Sequence, residues 1–142
     1  MKDLNYVLRK AYYDRLNNVI VDSAAIPFYD TVPTTASEPY MYVSDFTSFD
    51  RGDKTTFGQE ATITLVVVTK QGNTEGGRKS SDDIADKIIE EIRTRSANYL
   101  TLGGDHYIIT TTLDNTSSFI ESVEGGKLVI RSIRFRHITS EN

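Results

Sequence analysis

The chain has no cysteine, which rules out both a disulfide and a thiolate metal site. Histidine is almost as scarce. The two present, His106 and His137, stand far apart in no ligand spacing, so no zinc signature exists. Apolar runs are short, and none has the length that a bilayer-crossing helix needs. The opening Met1-Lys2-Asp3-Leu4-Asn5 is too polar for a secretory signal. A cytoplasmic origin with no membrane contact fits these absences. Positive charge is not in excess either: the net charge of −4 argues against a surface that binds nucleic acid all over. A local basic stripe stays open.

What is present reads as one globular domain over residues 1–142. With 38% hydrophobic and 25% charged residues, the composition is that of a folded protein without internal repeats or low-complexity segments. A chain of 142 residues buries about two thirds of its unfolded surface.

The most strand-like stretch is Ala61-Thr62-Ile63-Thr64-Leu65-Val66-Val67-Val68-Thr69. Its β-branched residues suit a pleated, buried surface. Ile63, Leu65 and Val67 share one face while Val66 and Val68 weight the other, as in the middle of a sheet. A helix follows. Ser80 or Ser81 is placed to cap it, Asp82 and Asp83 suit its positive end, and Arg93 and Arg95 suit the other. Ile84, Ala85, Ile88, Ile89 and Ile92 form a stripe at helical spacing. Each buried isoleucine contributes about 2–3 kcal/mol, so the stripe requires a sheet to lie on.

Other elements are expected around this pair. Leu4, Val7, Leu8, Ala11, Tyr12 and Leu16 predict a first amphipathic helix over residues 3–19. A short strand or turn is expected within 19–27. Pro27 and Pro33 fence a second short strand and confine it to an edge. A clearer strand covers 40–46, and residues 47–57 form the long exposed arm of a β-hairpin. After the second helix, Tyr107, Ile109, Thr111 and Leu113 share one strand face, residues 114–118 turn, and 119–123 extend again. In the last strand, residues 127–138, the apolar phase changes from Leu128 and Ile130 to Ile133 and Phe135. A bulge near Arg131-Ser132 is the expected consequence. The order predicts an α+β fold: a single mixed, mostly antiparallel β-sheet with two α-helices packed on one face and a long β-hairpin arm.

Signals for catalysis are thin. No serine sits in a G-x-S-x-G elbow. Gly72, Gly76 and Gly77 precede the second helix, but the residue before Lys79 is Arg78, where a P-loop requires glycine. Asp45, Asp50 and Asp53 do not have the spacing of a calcium loop. Arg51-Gly52-Asp53 spells an adhesion tripeptide, yet glycine at a hairpin tip is expected on backbone grounds alone. No catalytic, cofactor or metal residue is assigned. Contact residues are. Asp50, Arg51, Asp53 and Lys54 put mixed charge on the arm, suited to pairing with a neighbouring subunit. Lys127, Arg131, Arg134, Arg136 and His137 make the last strand the one basic segment, suited to salt bridges between subunits or to phosphate.

The arrangement resembles a known family. Ile26-Pro27-Phe28-Tyr29 follows the opening helix; Glu38-Pro39-Tyr40-Met41-Tyr42-Val43 enters a strand; Thr56-Phe57-Gly58 closes the polar arm; Ile84-Ala85-Asp86-Lys87-Ile88 lies on the helix after the apolar strand. Over residues 3–138 this is similar to the tail-completion or tail-terminator (neck) proteins of tailed bacteriophages. The resemblance implies a non-enzymatic virion protein, made in the host bacterial cytoplasm and resident in the tail or neck. It implies a ring of identical copies, typically a hexamer, at the head-proximal end of the tail. That ring ends tube growth and joins the tail to the connector. Its implied partners are itself, the tail-tube protein and a connector or portal-associated protein, with DNA passing nearby without specific binding. The arm and the link over residues 70–79, including Arg78 and Lys79, would be docking segments. Two features depart from the family's pattern: the arm is charged rather than apolar, and the last strand is strongly basic. The arginines are therefore expected to face neighbours rather than the channel.

Two readings compete with the ring protein. One is a small nucleic-acid-binding α+β domain that uses the basic C-terminal strand. The other is a small hydrolase, which requires acid, base or nucleophile groups converging in a pocket.

Overall fold

A computed structural model describes residues 1–71 and 78–142. Helix α1 (Asn5–Leu16) opens the chain and is followed by a small hairpin, β1 (Ile20–Val21) and β2 (Ala24–Ala25). Its two turn residues, Asp22 and Ser23, both have positive φ, 52° and 68°, as the tight two-residue hairpin turn demands. Then come β3 (Phe28–Tyr29), β4 (Tyr40–Asp50), β5 (Phe57–Gln71), α2 (Lys79–Ile92), a 3-10 turn at Ser96–Asn98, β6 (His106–Val123) and β7 (Gly126–Glu141).

The five longer-range strands form one sheet in the order β3-β4-β5-β7-β6. Only β3 against β4 is parallel; the other pairs are antiparallel. The central strand β5 pairs with β7 along its whole length, from Phe57 opposite Glu141 to Gln71 opposite Lys127. At about 3.3 Å per residue the sheet is close to 50 Å long. The α+β class and its mixed, mostly antiparallel sheet are as the sequence predicts.

Both helices lie on one face. Leu4, Leu8, Tyr12 and Leu16 at α1, with Ile84, Ala85, Ile88 and Ile92 of α2, pack onto Ile63, Leu65, Val67, Ile133 and Phe135. Arg15 ties the helices together by donating to the backbone oxygen of Glu91 at 2.8 Å, one of the carbonyls a helix end leaves unpaired. The opposite face of the sheet carries Val66 and Val68, both nearly buried, level with Tyr42 and Tyr40 of β4. The two-sided loading read from residues 61–69 is present.

Several expectations need correction. The second helix starts at Lys79 after Arg78 and has no side-chain cap. Ser81 is buried inside the first turn with its hydroxyl unpaired, so neither serine caps. Residues 114–118 do not turn: β6 runs unbroken for 18 residues. Its irregularities are bulges at Ile109 and Asp114, where the pairing with β7 skips one residue. The first bulge places Tyr107 and Thr111 on opposite faces rather than one. The last strand, conversely, has no bulge at Arg131-Ser132. Its phase change is real, but both faces there accept apolar residues: Leu128 and Ile130 fill the open face, Ile133 and Phe135 the helix face. Finally, the exposed β-hairpin arm over 47–57 is present, but it is sheet up to its tip: residues 47–50 pair with 59–62, and 57–62 pair in turn with β7. Only residues 51–56 form the tip.

Candidate assembly surfaces

The assigned contact residues fall in separate places. At the hairpin tip, Asp50 Oδ1 accepts from the Gly52 amide at 2.7 Å. A side chain at Gly52 would lie 2.6 Å from the Thr56 carbonyl oxygen, which is the steric reason for glycine there. Asp53 Oδ1 accepts from the amides of Thr55 and Thr56, at 2.8 and 2.9 Å, and from both their hydroxyls at 3.0 Å. These bonds, led by the Thr55 amide, hold its carboxyl below the usual aspartate value. Asp53 thus builds the turn. Arg51 reaches Glu60 at 3.3 Å, and Arg136 reaches the other oxygen of the same carboxylate at 3.6 Å. Lys54 stands exposed on the tip.

Around α2, Arg78 donates to Ser118 of β6 at 2.7 Å and Lys79 pairs with Asp83 at 3.0 Å. Within the expected docking link, residues 72–77, including Gly72, Gly76 and Gly77, lie outside the described residues.

The basic strand does not present one stripe. Side chains alternate across a strand. Arg131 and His137 therefore point to the helix face, and Arg134 and Arg136 to the open face. Each arginine also has an acid: Arg131 with Asp82 at 2.5 Å, Arg134 with Asp114 at 3.5 Å, Arg136 with Glu60. His137 is buried. Its Nε2 meets the Tyr12 hydroxyl, and its Nδ1 lies 2.9 Å from Thr111 Oγ1. Burial lowers its pKa to about 4 and raises that of Tyr12 well above the ordinary tyrosine value. The imidazole is therefore neutral at neutral pH and serves as a two-ended hydrogen-bonding strut in the core.

The proline-fenced strand β3 lies at a sheet edge as expected, but sequence reasoning missed that β6 and most of β4 have open edges. Among the described residues, no strand pairs with the outer side of β6, and β3 covers β4 only at Met41 and Tyr42. Tyr107, Ile109, Leu113, Phe119 and Ile120 of β6, and Phe49 of β4, are exposed. Edge strands are ordinarily blunted by lysine or proline. The 18 residues of β6 contain no lysine, arginine or proline, and the 11 of β4 contain neither lysine nor proline. That gap was readable in the sequence, but reading 114–118 as a turn concealed it.

No protein-family model and no curated protein matches the chain. Among solved structures it matches a chain in the virion of a native gene transfer agent (GTA) particle, with a TM-score of 0.72. The fold is that of a virion chain. Identity is 17%, and the match covers 99% of this chain and 99% of the other, so the whole architecture is shared while most side chains differ. Among the described residues no helix is long and apolar enough to cross a membrane.

Proposed function

We propose that the protein is a structural, non-enzymatic component of a tailed phage or phage-like virion. It forms a ring, six-fold in the family it resembles, at the head-proximal end of the tail. That ring stops tube growth and joins the tail to the connector; its partners are other copies of itself, the tail-tube protein and the connector. The observation that supports this most is the end-to-end match to a virion chain, with neither chain leaving an unmatched domain. The sequence resemblance to tail-terminator proteins supplies the finer assignment within the virion. Two unlike open edges on one sheet suit a head-to-tail contact, and such a contact closes into a ring when its rotation permits.

Deleting the gene from its particle and measuring tails by electron microscopy tests the assignment. The expected result is tails of uncontrolled length, detached from heads. Normal tails of normal length would remove it.

The nucleic-acid reading is less well supported. A phosphate-tracking stripe needs unpaired cations on one face, whereas Arg131 is divided from Arg134 and Arg136 by the sheet and each has an acidic partner. Reversing all three to glutamate is expected to leave the mobility of duplex DNA unchanged in a gel-shift assay, as in the parent protein. A shift with the parent that weakens steeply with salt and vanishes in the variant would restore that reading.

A further inference from the structure

We propose that neighbouring copies join strand to strand, with β6 of one copy adding to the uncovered stretch of β4, residues 44–50, of the next. The ring would then be closed by one continuous antiparallel sheet. This rests on the ring reading above and names the surface that makes the ring.

Strand direction is the first support. β4 pairs antiparallel with β5, β5 with β7, and β7 with β6. β4 and β6 therefore run in opposite senses at the two sides of the sheet. When a sheet is repeated by rotation about an axis along its strands, β6 of one copy meets β4 of the next antiparallel. That is the same ladder the sheet already uses internally.

Register is the second. Following the pairs across the sheet puts Phe46, Ile63, Phe135 and Leu113 at one level, and Phe49, Glu60, Ile138 and Thr110 at another. Between copies joined at that level, Phe46 meets Leu113 on the helix face and Phe49 meets Thr110 on the open face. Thr47 meets Thr112 between them. Residues 46–49 and 110–113 bring no charges together; Asp45 and the bulged Asp114 lie just beyond that run, where both strands are irregular, and mark its end. A shift by two residues keeps each side chain on its face, whereas a shift by one would turn every one over.

Edge chemistry is the third. Residues 110–113 form a regular run between the two bulges of β6, and neither strand carries the lysine or proline that would repel a pairing chain. A second copy presents both halves of the joint, which a foreign strand has no reason to match in direction, face and length.

The cysteine-free sequence allows a clean trap. Phe49→Cys is combined in turn with Tyr107→Cys, Thr110→Cys or Thr112→Cys, three substitutions that share the open face. The purified full-length proteins are oxidised with copper phenanthroline and run on a non-reducing gel. At least one pair is expected to give a ladder of covalent multimers ending at the ring. A control pair on opposite faces, Ser48→Cys with Thr110→Cys, is expected to give none. Adding Lys beside the joint in the Phe49→Cys/Thr110→Cys protein, by Thr112→Lys, is expected to cut the ladder at least tenfold with the melting temperature unchanged. Monomer only from all three pairs, in proteins that melt normally, overturns the edge-to-edge joint. So does a ladder of equal strength from the control. Rings seen by negative stain without cross-links would keep the ring and reject this joint. A ladder from a protein whose deletion leaves tails normal would keep the joint and reject the tail assignment.

Discussion

Replacing Phe135 by alanine is expected to cost about 3–5 kcal/mol of folding stability, the range for removing a large aromatic from a packed core. Phe135 has no solvent exposure. It sits on β7 between Ile63 of β5 and Leu113 of β6, and its ring lies 6.1 Å from that of Tyr12. Four elements therefore share one side chain, and no single one can move in to fill the space without leaving its own neighbours. Chemical denaturation at neutral pH measures the loss. Ile138→Ala is the internal comparison: it lies on the same strand but on the half-buried open face, and is expected to cost less than half as much. Equal losses at the two positions would mean that the helix face is not the principal core.

Acid is expected to weaken the fold before the carboxylates titrate. The His137 pKa is about 4 in the folded protein against an ordinary value of 6.5, because burial penalises the charged ring. The neighbours that touch its nitrogens, Tyr12 and Thr111, are uncharged. Above pH 6.5 both folded and unfolded states hold a neutral imidazole, and His137 adds no pH dependence. As pH falls from 6.5 toward 4, only the unfolded state takes up the proton, so stability drops by about 1.4 kcal/mol per unit and about 3 kcal/mol in all. Asp53 and Glu141 also have lowered values, from 3.8 and 4.5. Their losses carry the same sign but begin lower, leaving the window from 6.5 to 4.5 to the histidine. Urea melts at pH 7 and 4.5 on the parent and on His137→Gln provide the check. The variant is expected to start less stable and to lose less between the two pH values. An identical acid slope in both would show that His137 is not the group responsible.

How far the fold could be read before it was seen depends on the range of each signal. The strand at 61–69 and the α2 stripe of Ile84, Ile88 and Ile92 were legible because periodicity is a local property and each stripe ended up buried. Their packing on one face followed from the order of elements. The failures are where local chemistry met long-range pairing. Asp114-Asn115-Thr116 looks like a turn, but β7 offers a partner along the full length of β6, and the chain keeps the ladder by absorbing a single bulge at Asp114. A phase change implies a bulge only in a strand with a single apolar face, and β7 has two. The sheet has apolar neighbours at its open face too, where Val68 stands beside Ile130. Charge patterning misled for a related reason: the arginines of β7 looked like one stripe in a list of residues, and the pleat sent Arg131 to one side and Arg134 and Arg136 to the other.

The sequence by itself determined the class of the fold, the identity of the central strand, the burial of the second helix and the exclusion of thiolate chemistry. Those depend on composition and on spacings of two to four residues, which a chain carries wherever it goes. Only the tertiary structure decided which strand edges stay open, that His137 is a neutral core strut, and that the basic residues are shared out among acids. Each of those turns on a neighbour brought in from elsewhere along the chain, such as Tyr12 for His137 or Asp82 for Arg131. No local pattern encodes which distant partner the folded sheet will bring alongside.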